Sequence, residues 1–80
     1  MNRSEFEYGG YWIEVCTRSR LGRAGLEYAA EVRMTADPEE ATKRRWTSIE
    51  PGEPAGFPAE IDALEDGMRR GFAYVDAGAG

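Results

Sequence analysis

FPAEIDALEDGMRRGFAYVD, residues 57–76, is where the chain changes its hydrophobic period. After Pro58 the apolar residues fall at Ile61, Leu64, Met68, Phe72 and Val75, spaced by three and four. That spacing places them on one stripe of an α-helix. It predicts a helix over about 58–76, with Ile61, Leu64, Met68 and Phe72 as its core face. Glu60, Asp62, Glu65 and Asp66 precede Arg69 and Arg70, an order that complements the helix dipole. Glu65 with Arg69 and Asp66 with Arg70 are i,i+4 pairs in the favourable direction. Ala63, Gly67 and Gly71 form a second stripe of small residues. It fits close contact with a strand or ring of the same chain, and it also fits helix–helix contact across a dimer.

Upstream the period is two. Tyr11, Ile13 and Val15 alternate with polar residues or Trp12, and Tyr28, Ala30, Val32 and Met34 alternate with Glu27, Ala29, Glu31 and Arg33. Such alternation marks half-buried strands. Phe6 and Tyr8 stand on even numbers, so the phase flips across Gly9-Gly10. A two-residue hairpin turn produces that flip by pairing Tyr8 with Tyr11 and Phe6 with Ile13, and glycine suits its positive φ angles. A bulge in one continuous strand also flips the phase. The hairpin sets Glu5 opposite Glu14, an unfavourable like-charge pair.

The intervening segments carry weaker signals. Thr17 to Gly25 reads as a loop punctuated by Arg18, Arg20 and Arg23. Asp37-Pro38-Glu39-Glu40 reads as a helix start, although only Ala41 is apolar in the turns that follow. A short strand is expected over about 45–50, with Trp46 and Ile49 out of phase. Pro51 to Gly56 reads as a stiff connector. The expected architecture is α+β: one domain over 1–80, strands at about 4–8, 11–17, 26–35 and 45–50 in an antiparallel meander of three or four strands, and one C-terminal helix packed on one face.

Composition bounds the function. Eighty residues bury a small core, with roughly 3–5 kcal/mol of stability available from it. A single cysteine allows no internal disulfide, and the absence of histidine leaves no structural zinc site. Dimerisation is one way to add stability. Asn2, Arg3, Ser4 and Glu5 open the chain without an apolar run, so no membrane span or export signal is expected and a reducing cytoplasm fits. The net charge of −5 resides entirely in residues 37–80. An acidic chain is a poor general ligand for phosphate backbones.

No constellation for catalysis stands out, and the expectation is that the protein is not an enzyme. Cys16, Ser4, Ser19 and Ser48 have no histidine to activate them. Asp62 and Asp66 share a helix face but lack a third ligand, so no metal or other cofactor is expected. Gly22-Arg23-Ala24-Gly25 lacks the spacing and the lysine of a phosphate loop. Arg18, Arg20 and Arg23 could flank an aromatic sheet as in single-strand readers. Against that, the face opposite the helix carries Glu5, Glu7, Glu14, Glu27 and Glu31. Trp12 stands on the same face, and tryptophan is enriched at interface hot spots. Trp12, Glu14, Glu31 and Arg33 are therefore the candidate contact patch for a protein partner or for self-association. Arg18, Arg20 and Arg23 are the alternative, basic one.

Tyr8-Gly9-Gly10-Tyr11-x-Ile13-x-Val15, with the Pro-rich step into Ala63-Leu64-Glu65-Asp66-Gly67-Met68, resembles a group of short uncharacterised bacterial proteins. These open on an aromatic-Gly-aromatic strand and end in a single helix; the resemblance implies a fold and no activity. The Gly-Gly-Tyr hairpin followed by an acidic helix also resembles the HicB-like antitoxin domain, which implies an antitoxin-like or nucleic-acid-linked regulator. In place of that family's Pro-Gly-Cys stretch stand the Arg-rich segment and the strand Leu26–Met34. The expected function is a small non-enzymatic interaction module, with the antitoxin-like regulator as the alternative.

Overall fold

A computed structural model describes residues 3–51 and 56–78. Strands β1 (Arg3–Tyr8), β2 (Tyr11–Gly22), β3 (Gly25–Thr35) and β4 (Thr47–Ile49) form one antiparallel sheet in chain order. Helix α1 (Glu60–Asp76) packs against β2 and β3 on one face. The fold is α+β, a four-stranded meander with a C-terminal helix.

Gly9 and Gly10 form the hairpin turn between β1 and β2, at φ +60° and +85°. Tyr8 pairs with Tyr11 and Phe6 with Ile13, so the aromatics of β1 share the face of Ile13 and Val15. Phe6 and Tyr8 there meet the Phe72 ring, at centroid distances of 5.3 and 4.6 Å.

Helix α1 runs antiparallel to β2. Thr17 donates to Glu60 Oε2 at 2.8 Å near the helix start, and Tyr8 donates to Asp76 at 2.8 Å at its end. The Asp76 carboxylate, as acceptor of that bond, holds the Tyr8 hydroxyl above its ordinary pKa. Between these ends the helix approaches through its smallest residues. Ala63, Gly67 and Gly71 are buried, while Leu64, Met68, Phe72 and Val75 pack on the core as half-buried flanks. Ile61, expected in the core stripe, is 59% exposed. The stripe of large residues is thus displaced from the contact line, because the glycines let the helix backbone lie close to the strands.

Four other expectations need correction. The segment from Thr17 to Gly25 is a continuation of the β2–β3 hairpin, closed by Gly22 opposite Gly25 with Arg23-Ala24 at the tip. Alternation persists through Arg18, Ser19, Arg20 and Leu21; without a continuous apolar face it resembled a loop. No helix follows Asp37. Its carboxylate accepts the backbone N–H of Arg45 at 2.7 Å, and its own N–H donates to Thr35 Oγ1 at 3.1 Å. The intended cap therefore ties a return loop, and the Arg45 hydrogen bond, before all other causes, lowers the Asp37 pKa. The strand expected over 45–50 is only Thr47–Ile49. Arg69 turns to Asp66 at 3.6 Å rather than to Glu65, whereas Asp66–Arg70 forms as expected at 2.9 Å. Most of the Pro51–Gly56 connector lies outside the described residues.

The outer edge of β3 is covered piecewise. Beside β4, the backbone of Phe57 exchanges two hydrogen bonds with Tyr28, at 2.7 and 2.8 Å. Between them Arg70 donates to the Ala30 carbonyl at 2.8 Å, while Asp66 holds its Nε. A guanidinium thus occupies a gap where a strand would otherwise pair.

Candidate interaction surfaces

The sheet face away from the helix is a layer of ion pairs. Glu5 does stand opposite Glu14, but three arginines surround them. Arg33, directly across from Glu14 on β3, donates to it at 2.6 Å. Arg3 reaches Glu14 at 2.6 Å and Glu5 at 3.8 Å, and Arg44 donates to Glu5 at 3.1 Å. Glu14 is only 6% exposed. The Arg33 hydrogen bond, aided by the charges of Arg33 and Arg3 and opposed by burial, holds its carboxyl below the usual range.

The two indoles belong to the same layer. The segment after Asp37 returns across this face and lays Arg44 against both rings, 4.7 Å from the Trp46 centroid and 5.6 Å from that of Trp12. Arg33 lies 4.1 Å from Trp46. These are cation–π distances. The expected patch therefore divides. Trp12, Glu14 and Arg33 are brought together but largely engaged with one another and with Arg44 and Trp46. Glu31 stands further along the sheet, exposed, where it takes Arg18 at 2.6 Å. The Glu14–Arg33 pair was readable from strand alternation. Arg44 and Trp46 were not, because nothing periodic in residues 36–46 says that the segment folds back.

Two grooves of about 550 Å³ involve this face, the first of them reaching round the outer edge of β3 to Arg70. One is lined by Cys16, Arg18, Glu31, Arg33 and Ser48 beside Arg70, and in it the Cys16 thiol is half-buried. The other holds Trp12 with Glu7, Glu39 and Glu40. Among the described residues no three His, Cys, Asp or Glu side chains gather as a metal site. No described helix is long and apolar enough to cross a membrane.

The β2–β3 hairpin extends past the helix start as a two-stranded arm. Thr17 marks where α1 begins, and β2 continues five residues further, about 17 Å at 3.3 Å per residue. Its two faces differ. On one, Arg20 pairs with Glu27 at 2.8 Å and Arg18 with Glu31, and the Glu31 hydrogen bond raises the Arg18 pKa. On the other, which faces the helix side, Leu21 lies directly opposite Leu26, and they are 86% and 55% exposed. Arg23 is exposed at the tip. Thus Arg18, Arg20 and Arg23 do share one structural element, but two of the three are ion-paired within it. The leucine pair was missed because the segment read as a loop; its signal was the mirror-like run of Leu21-Gly22 and Gly25-Leu26 about a two-residue turn.

No family model matches the chain, and neither curated proteins nor solved structures provide a match.

Proposed function

We propose that this chain is a small non-enzymatic protein-interaction module whose contact surface is the apolar side of the β2–β3 arm. The observation that carries the reading is the Leu21–Leu26 pair, two large apolar side chains set opposite one another and open to solvent. Isolated two-stranded ribbons are marginally stable in water. This one is stiffened by ion pairs on its other face, which favours a standing surface over a floppy loop. The Trp12, Glu14 and Arg33 cluster then supports the sheet beneath the contact rather than forming it.

The antitoxin-like or nucleic-acid-linked reading has less support. Neutralising phosphates requires free cations, and Arg18 and Arg20 already face Glu31 and Glu27.

Site-specific photo-crosslinking tests the proposal. A photoreactive side chain at Leu21 should give discrete protein adducts in cells expressing the chain, while one at the exposed Glu65 should not. Equal, diffuse labelling at both positions would end the interaction reading.

A further inference from the structure

We infer that the occupant of the arm is a second copy of this chain, the two arms packing face to face about a two-fold axis so that each tip meets the partner's helix start. The inference rests on the reading of the arm as a contact surface and adds the identity of the partner.

Three features make the surface self-complementary. First, the apolar side of the arm carries Leu21 and Leu26, and the Thr17–Glu60 bond sets the first turn of α1 as a wall at its inner end, with Ile61 in that turn 59% exposed. Leu21, Leu26 and Ile61 are thus three large apolar residues clustered toward one end of the molecule. Second, the helix axis follows β2, since Glu60 meets Thr17 and Asp76 meets Tyr8. The helix start therefore looks along the arm toward its tip. When two such arms are laid face to face and antiparallel, the leucines of one cover those of the other. Each tip then reaches the opposite wall.

Third, tip and wall carry opposite charge. On the arm Arg18 and Arg20 are balanced by Glu31 and Glu27, so the exposed Arg23 gives the tip its positive charge, and the first turn of α1 holds Glu60 and Asp62. Arg23 at the tip would meet the exposed Asp62 of the second copy. An isologous pairing repeats each such contact twice, which is the way a small patch gains affinity. Matching charges also fix the register of two otherwise featureless leucine pairs. Among the described residues β2 pairs with β3 alone from Thr17 to Gly22, so β1 does not block the approach.

Analytical ultracentrifugation of the full chain from about 1 μM to 1 mM, a span that covers weak specific association, tests this. A concentration-dependent monomer–dimer equilibrium is expected. Leu21→Ser should weaken it by about tenfold or more, since one buried leucine is worth at least that factor, with the circular dichroism spectrum unchanged. Arg23→Glu and Asp62→Arg should each weaken it, and the double variant R23E/D62R should recover the original affinity because both signs are reversed together. A chain that stays monomeric at the highest concentration overturns the inference. So does a dimer indifferent to Leu21→Ser, or one in which the double variant is no tighter than its parents. A strictly monomeric chain that still gives discrete crosslinks from Leu21 to a different protein would remove the second copy and leave the interaction reading standing.

Discussion

Gly67 lies so close to Val15 that a Cβ built on it would stand 2.6 Å from Val15 Cγ1 and 2.8 Å from the Ala30 Cβ. Here the helix touches the sheet through backbone. The two buried helix glycines are costly by intrinsic propensity, about 1 kcal/mol each relative to alanine. Close approach to Ile13, Val15 and Val32 offsets that cost through packing.

Gly67→Ala should therefore destabilise despite the better helix former. Overpacking of a tight core costs about 1–3 kcal/mol. A neighbour on each of two strands has to move, so the loss should exceed the propensity gain. Gly71→Ala meets chiefly Ile13, at 2.8 Å, and should cost less. Urea denaturation of both variants measures the order; a stabilised Gly67→Ala would contradict the contact.

Leu64 and Ile61 make a matched pair of tests. Leu64 packs against the core, and Ile61 stands mostly in solvent. Leu64→Ala should lose about 2–4 kcal/mol, and Ile61→Ala should stay within about 0.5 kcal/mol of the parent at concentrations where the chain is monomeric. Equal losses would restore Ile61 to the core face.

Alternation at Ile13, Val15, Val32 and Met34 was enough to place the sheet faces, and the phase flip at Gly9-Gly10 anticipated the first hairpin with its register. The helix was legible as an element, but its contact line was not. Periodicity marks large apolar side chains, whereas this interface runs through Ala63, Gly67 and Gly71. Arg18 to Leu21 failed differently. A ribbon projecting into solvent needs no buried face, so its polar alternation carries no hydrophobic signal. The return of Arg44 and Trp46 over Trp12 depends on Asp37 capturing the Arg45 N–H, a tertiary choice that competes with the helix-start pattern.

The Glu14 carboxylate links this layer to pH. Its pKa is lowered in the folded chain, foremost by the Arg33 hydrogen bond. A depressed folded pKa contributes stability above the unfolded value of about 4.3, lost as pH falls through the folded value. Glu14→Gln should destabilise at pH 7 by about 1.5–3 kcal/mol, the range for a hydrogen bond to a charged group. The gap between variant and parent should narrow below about pH 4. Thermal melts across pH 3 to 7 provide the comparison, and a gap that widens in acid would reverse the assignment.

Nucleic acid should bind weakly. With a net charge of −5 and Arg18 and Arg20 ion-paired, titration with short DNA or RNA at physiological salt should show nothing tighter than about 10⁻⁴–10⁻⁶ M. Submicromolar affinity abolished by neutralising Arg18, Arg20 and Arg23 would favour the regulator reading instead.

Arg44 gives the last prediction. Its guanidinium lies within cation–π range of both tryptophans and bonds Glu5, and its side chain is 15% exposed. Each partly exposed cation–π contact contributes about 0.5–1 kcal/mol, and the Glu5 pair adds to this while relieving its repulsion with Glu14. Arg44→Ala should cost about 1–2 kcal/mol by these terms and leave the sheet intact, because neither indole lies on the helix side. The clearer readout is optical. With the covering group removed, both indoles gain water, so emission should shift to the red and acrylamide quenching should rise at unchanged far-ultraviolet circular dichroism. Arg44→Lys should recover the signal only in part, since an ammonium lacks the planar surface that lets a guanidinium stack on an aromatic ring. Unchanged emission in Arg44→Ala would mean that the return loop does not cover Trp12, and would return that indole to the exposed face as a contact in its own right.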